Sequence, residues 1–319
     1  LANFSGTFSL VVDPDQLPPG LREPVVAIGN FDGVHRGHRG VIARALEKAV
    51  ALQSPCAVLT FEPHPGDFFS GSPKIFRLTP RDAKAMTLAR LGIDGMIVFT
   101  FDAALAGLSA EDFVREVLVR RLRVRAVIAG YDFHFGKARS GTPAFLQEAG
   151  RLYGFEVEIV ERIAADAEGS IETASSSATR LALEAGDIGR ATHLLGHPYA
   201  VLGTVIEGRR LGRSIGFPTA NLALDPSSRL RHGVYAVEAK LEGRAYRAIA
   251  NYGRRPTVDG ESPPLLEVFL FDFSGDLYGK VIEVAFIAWI RGEEKFASLD
   301  ALKAQIARDV EEACRLLER

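Results

Sequence analysis

The chain has 319 residues, 47% of them hydrophobic and 24% charged, which is too long for one core of ordinary size and too apolar for a disordered segment, so two globular domains are expected. A formal net charge of −2 argues against a nucleic-acid or anionic-membrane binder and makes small molecules the expected partners. Two cysteines, Cys56 and Cys314, lie far apart and in no CxxC pair, so they indicate neither a disulfide framework nor a zinc cluster and fit a reducing compartment.

The opening LANFSGTFSLVV has no basic segment ahead of an apolar core, and no apolar run approaches the ~18 residues of a membrane span, so a soluble, cytoplasmic protein is expected. From Val25 to about Val160, short β-branched runs alternate with helical patterns, the signature of βα units building a parallel sheet. The expected strands are Val25–Ile28, Ala57–Phe61, Met96–Phe99, Ala126–Ala129 and Glu156–Val160. Helix starts are signalled at Thr79-Pro80 with Asp82, at Ser109 with Asp112, and at Thr142-Pro143. Past Gly186 the rhythm changes to strand-like stretches between Gly, Pro and Asp turns. Val234–Leu241, Ala245–Asn251, Leu265–Asp272 and Val281–Trp289 read as antiparallel strands of a small barrel. A last helix carries an apolar stripe of Leu299, Leu302, Ile306, Val310, Ala313 and Leu317, suited to pack on that barrel. The domain boundary is expected near Gly186–Pro198, giving domains 1–186 and 187–319.

The most informative segment follows the first strand of this series: Gly29-Asn30-Phe31-Asp32-Gly33-Val34-His35-Arg36-Gly37-His38, with a helix expected from about Gly40 or Val41. A strand-to-helix turn at the carboxyl end of an α/β sheet offers backbone N–H groups and a helix dipole to phosphate. His35 and His38, three apart, share one face if the helix has begun, and can donate to one phosphate while charge develops on it. An isolated HxGH serves equally as a turn cap beside a surface histidine; the strand before it and the helix after it favour the phosphate role. A Walker-like stretch, Gly130–Lys137, fails on glycine spacing and because Ala138 stands where a Ser or Thr is required. Neither GxGxxG nor HExxH occurs, which disfavours a dinucleotide dehydrogenase and a zinc hydrolase.

GNFDGVHRGH resembles the adenylylation motif of the prokaryotic bifunctional riboflavin kinase/FAD synthetases, and TFEPHP at Thr60–Pro65 and YDFHFGKARSGT at Tyr131–Thr142 resemble the family's next two signatures, in order. The resemblance implies a Rossmann-like nucleotidyltransferase α/β domain in which His35 and His38 hold ATP phosphates, with Gly29, Phe31, Asp32, Gly33, Gly37 and Asp132 framing nucleotide and flavin. His64, between two prolines, is as well explained by a rigid turn. A serine-rich element appears as Ala174-Ser175-Ser176-Ser177-Ala178-Thr179-Arg180, where Ser176 and Arg180 match family positions suited to phosphate oxygens. Ala178 and Thr179 depart from the family pattern and put local helix packing in question.

In the second half, Gly208, Gly212 and Gly216 recur every four residues through GRRLGRSIG, as suits a loop over phosphates. Thr219 and Asn221 of the PTAN that follows offer two oxygens on one side of an extended segment, as Mg²⁺ prefers. This stretch resembles the riboflavin kinase signature almost residue for residue, and the resemblance continues through Gly233–Tyr235 and Asn251–Thr257. It implies a β-barrel kinase with Gly208, Arg213, Gly216, Phe217, Pro218 and Asn251 around ATP and flavin, and with Glu267 as catalytic base. On pattern alone Glu267 is an outward-facing solvated residue of a strand. Trp289, Phe269, Phe271 and Phe273 alternate as core residues would and receive no ligand role.

The function implied is phosphorylation of riboflavin to FMN followed by adenylylation of FMN to FAD, with MgATP in both steps, in a cytoplasmic monomer or weak homo-oligomer. A flavin-binding protein with a degenerate adenylylation half and an intact kinase is the alternative, motivated by the altered serine element. A nucleotidyltransferase for another phosphorylated alcohol explains the first half only.

Overall fold

The computed structural model describes residues 8–161, 174–208, 216–257 and 260–318. The chain divides into two compact units, Leu1–Ile75 with Thr79–Ala174, and Phe76–Leu78 with Ser175–Arg319. The sequence-derived boundary at residue 186 assigns the helix Ser176–Ala185 to the first domain, whereas it groups with the second unit. Its Ala182 and Leu183 are buried in the same core as the residues inside the barrel.

In the first unit the strands are β1 (Ser9–Val12), β2 (Val25–Ile28), β3 (Cys56–Glu62), β4 (Gly95–Thr100), β5 (Ala126–Gly130) and β6 (Glu156–Val160). They form one parallel sheet in the order β1-β4-β3-β2-β5-β6. β2 is buried throughout, which is why it reads as a continuous apolar run: helices cover both faces of such a sheet. β1 escapes the sequence pattern because it is a four-residue edge strand, nowhere fully buried. The helices are α1 (Arg36–Leu52), α2 (Pro65–Ser70), α3 (Arg81–Arg90), α4 (Ala103–Gly107), α5 (Ala110–Asp112, continuing as a π-helical stretch over Phe113–Arg121) and α6 (Pro143–Tyr153). Ser109 and Thr142 cap their helices as expected, accepting from the N–H of Asp112 and of Phe145. Thr79 does not: α3 starts after Pro80 without a side-chain cap, and the Thr79 hydroxyl serves the loop after β2 instead. From β2 the sheet grows through β3 and β4 to one side and through β5 and β6 to the other. The carboxyl ends of β2 and β5 therefore flank a topological switch point, where open α/β sheets bind ligands.

The second unit begins with α7 (Ser176–Ala185) and α8 (Ile188–Leu195). Strands β7 (Ala200–Ile206), β8 (Ala220–Ala223), β9 (Gly233–Leu241), β10 (Arg244–Thr257), β11 (Gly260–Leu270) and β12 (Val281–Arg291) close an antiparallel barrel in the order β10-β11-β8-β7-β12-β9. Alternation decides what faces in: Leu222, Ala248, Ala250, Tyr252, Leu266 and Val268 fill the interior. Their neighbours face out, where α9 (Leu299–Leu317) packs Val310, Ala313, Cys314 and Leu317 against Val234, Ala236, Ile249 and Phe271. Of the expected stripe, Leu299 at the helix start is 56% exposed. Phe269 and Phe271 also belong to this outer cluster rather than to the barrel interior.

Candidate active sites

The loop after β2 is built by three left-handed residues and two buried anchors. Phe31, Gly33 and Val34 have φ of 48°, 86° and 45°, so the chain doubles back sharply between strand and helix. Asp32 is 1% exposed; its carboxylate accepts the N–H of Thr79 at 2.9 Å, while the Thr79 hydroxyl accepts the N–H of Gly33 at 2.8 Å. The carbonyl of Asn30 accepts from Thr60 Oγ1 at 3.0 Å and from Lys84 Nζ at 2.8 Å. Gly29 and Gly37 are close-approach positions: a Cβ would stand 3.3 Å from the Phe31 ring at Gly29 and 3.1 Å from the His35 ring at Gly37.

Helix α1 begins at Arg36, earlier than the sequence suggests, because His35 itself is its N-cap: Nδ1 accepts the N–H of His38 at 3.3 Å. With Nδ1 accepting, the ring proton of His35 sits on Nε2, which presents a donor. His38 stands in the first turn, its ring stacked on His35 at 3.6 Å between centroids and 5.1 Å from Phe31. The N–H groups of Arg36 and Gly37 have no acceptor within the helix and lie at its positive end. Burial, and then the charges of His35 and Lys84, hold the His38 imidazole well below its ordinary range, so it is neutral at pH 7. Its Nδ1 is buried and, among the described residues, has no hydrogen-bond partner. Two stacked imidazoles at a helix N-terminus form a set of polarised donors suited to oxygens of a polyphosphate.

Asp132 lies just past the end of β5, exposed, in a turn closed by the Phe133 N–H on the carbonyl of Gly130. The loops that follow β2 and β5 thus carry the first and third signatures on the two sides of the switch point. His64 caps α2, accepting the Gly66 N–H at 3.0 Å, so the rigid-turn role is realised. Ser176 and Arg180 belong to the second unit, on α7. Ser175 caps that helix, Thr179 is buried with its hydroxyl donating to the carbonyl of Ser175, and Arg180 Nε donates to the carbonyl of Phe76 at 2.7 Å. The departure at Thr179 is thereby accommodated without an unsatisfied hydroxyl.

Two features of this unit carried no sequence signal. Lys84 is 1% exposed, its ammonium also 3.3 Å from Thr60 Oγ1 and from Glu62 Oε1; a lysine inside a helical pattern reads as solvated. Phe61, Phe68, Phe69 and Phe101 form an edge-on cluster at the carboxyl ends of β3 and β4, with Phe69 72% exposed. An open cleft of about 650 Å³ at the opposite, amino end of the sheet is lined by Glu23, Arg123, Arg125 and Arg151; Arg123 is paired with Glu23.

In the second unit the register places Asn221, Glu267 and Asn251 side by side across β8, β11 and β10. Directly paired residues share a face. Because Leu222, Leu266, Val268 and Ala250 point inward, this row stands on the outer wall of the barrel. Glu267 therefore does face out, and it is half-buried between two amides instead of standing free in solvent. Asn221 is 7% exposed, and a Cβ on Gly208 would stand 2.7 Å from its Cγ, so the glycine at 208 makes room for it. Thr219, exposed, immediately precedes β8. Gly216 is left-handed at φ 91° and Pro218 is exposed. The Phe217 ring meets Phe269 edge-on at 5.5 Å, and Phe269 meets Phe271 at 5.8 Å. Arg213 and the rest of 209–215 lie outside the described residues. Among the described residues no group of His, Cys, Asp and Glu is arranged to hold a metal by itself. Hydroxyl, amide and single carboxylate oxygens are nevertheless the donors that a phosphate-bound Mg²⁺ takes from protein.

Each half of the chain matches a known family. A family model described as FAD synthetase matches residues 18–176 and one described as riboflavin kinase matches residues 195–317. A bifunctional riboflavin kinase/FMN adenylyltransferase from Haemophilus influenzae is 44% identical over 90% of this chain and 92% of its own length. The chain belongs to the bifunctional riboflavin kinase/FMN adenylyltransferase family. The relatives of the same description from Escherichia coli K12 and Bacillus subtilis are 44% and 38% identical, each over about nine-tenths of both chains. A solved structure from Streptococcus pneumoniae, described as a macrolide-efflux protein, is 31% identical with a TM-score of 0.81, covering 96% of this chain and 98% of that one. Among the described residues of this chain, no helix is long and apolar enough to cross a membrane. Because both halves match enzymatic families, a flavin-binding protein with only the kinase intact is not favoured.

Proposed function

We propose that the family's two reactions are divided between the two units, with kinase chemistry on the barrel wall and adenylylation at the β2–α1 loop. The observation that carries this reading is the His35–His38 stack at the N-terminus of α1, on the switch point of the sheet. In the kinase step Glu267 accepts the proton of the ribityl 5′-hydroxyl as that oxygen attacks the γ-phosphorus of ATP, and ADP leaves. Asn251 and Asn221 hold the carboxylate's surroundings, and Thr219 with Asn221 supplies oxygens to Mg²⁺, which neutralises charge on the phosphates when bound. Gly208, Arg213, Gly216, Phe217 and Pro218 bind ATP and flavin.

In the second step a phosphate oxygen of FMN attacks the α-phosphorus of ATP and pyrophosphate leaves. His35 and His38 donate to the phosphate oxygens as charge builds, helped by backbone N–H groups of the α1 turn. Gly29, Phe31, Asp32, Gly33 and Gly37 set the loop's shape, and Asp132 frames the ligand from β5. Ser176 and Arg180 of α7 match family positions suited to phosphate oxygens. Phe69, 72% exposed in the cluster around Phe101, offers a face on which a flat ring stacks. The free cysteines Cys56 and Cys314 fit a cytoplasmic location. The acting species is a monomer or a weak homo-oligomer. Isotope tracing tests the division: γ-labelled ATP delivers its label to FMN, α-labelled ATP only to FAD. Absence of both products from riboflavin and MgATP overturns the reading.

A further inference from the structure

Lys84 belongs to no signature the sequence displays, yet it is among the most completely buried charged groups of the first unit at 1% exposure. It reaches from α3 across the end of the sheet to the second residue of the loop, donating to the carbonyl of Asn30 at 2.8 Å, with Thr60 Oγ1 and Glu62 Oε1 each at 3.3 Å. Asn30 directly precedes Phe31, the first left-handed residue of the turn. Whatever fixes this carbonyl fixes the direction in which the chain leaves β2, and so where His35 and His38 stand. A neutral donor would satisfy a carbonyl. Burying an ammonium costs more, and what it adds is an ion pair with Glu62 at 3.3 Å, little screened by water.

We propose that Lys84 is a positioning residue for adenylylation: it pins the Asn30 carbonyl that aims the phosphate loop and brings its ion pair with Glu62 to the foot of that loop. The titratable and charged groups on the elements gathered here are Asp32 and His35 of the loop, Arg36 and Arg39 of α1, Glu62 of β3 and Lys84 of α3. Of these, His35 and Lys84 are the ones that oppose protonation of His38, adding to burial. Lys84 thus adds to the burial that disfavours a charged His38 ring. The inference rests on the assignment of adenylylation to the His35–His38 loop.

The test uses the full chain, with FMN formation from riboflavin and FAD formation from supplied FMN timed separately. Lys84→Met keeps the aliphatic stem and removes the charge. FMN formation stays at the wild-type rate, kcat for FAD formation falls roughly 10- to 100-fold, and in ¹³C-histidine NMR the His38 resonance titrates at higher pH than in the wild type. FAD formation at the wild-type rate, or an unmoved His38 titration, overturns the proposal. If Lys84→Met unfolds the first unit while the kinase persists, Lys84→Arg decides: with the charge kept and the bond to Asn30 altered, kcat falls but the pH profile of FAD formation stays in place. A displaced profile in that variant overturns the proposal equally. His38→Ala, run alongside, separates the two layers, since FAD formation surviving it sinks the site assignment itself.

Discussion

Replacing Thr79 by valine preserves the shape of a side chain that is 5% exposed and removes a single oxygen. That oxygen accepts the buried N–H of Gly33 at 2.8 Å and lies 3.3 Å from Asp32 Oδ1. Withdrawing the acceptor from a buried amide costs about 1–3 kcal/mol. The loop has little reserve to absorb this, since Phe31 and Val34 hold left-handed backbone at about 1–2 kcal/mol each. If the loss is expressed as failure to hold the phosphate loop, kcat/KM for FAD formation from FMN falls about 5- to 150-fold at roughly 1.4 kcal/mol per decade. FMN formation by the same molecules is the internal control and is unaffected. Timed chromatography of both products reads the result. FAD formation at the wild-type rate, or a parallel decline of both activities, refutes the reasoning that Thr79 acts through the loop.

Gly208→Ala places a methyl group against the Asn221 side chain; the variant loses most riboflavin phosphorylation and still converts supplied FMN to FAD, and an active kinase contradicts the outer-wall site. His38 resists protonation in the folded state, so its contribution to stability is complete above its ordinary value of about 6.5 and is lost as pH falls below it, with a slope of at most about 1.4 kcal/mol per pH unit. Hydrogen exchange of β2 and β5 amides across that range shows the slope in wild type and a shallower one in His38→Gln; equal slopes count against a buried neutral ring. The Cys56 thiol is pushed up to about 12 by burial and the neighbouring Asp94 carboxylate, so iodoacetamide at pH 8 leaves Cys56 unmodified in the native protein until urea is added, and prompt native labelling refutes this.

The periodic elements were legible because burial on both faces writes itself as apolar runs: β2 to β6 appear within a residue of their expected bounds. Motif residues were legible because a left-handed turn and a close approach demand particular residues, as at Gly33 and Gly37. What sequence did not reveal depends on contacts between distant segments. Thr79 carries every local mark of a helix cap and spends its hydroxyl on Gly33 instead, 46 positions away. Lys84 looks solvated until α3 is laid over the sheet. Glu267 read by alternation is simply outward-facing, and that reading is right; only the register with Asn221 and Asn251 shows that outward means into a row of polar groups. The boundary between units followed packing of α7 on the barrel core, not the change in rhythm near Gly186.

The most direct measurement is a timed chromatographic assay of riboflavin with MgATP for the wild type, His38→Ala and Glu267→Gln, the last also given FMN. The wild type passes through FMN to FAD, His38→Ala halts at FMN, and Glu267→Gln makes FAD only from supplied FMN. Variants that both still run from riboflavin to FAD at the wild-type rate would contradict the assignment of chemistry to these two sites.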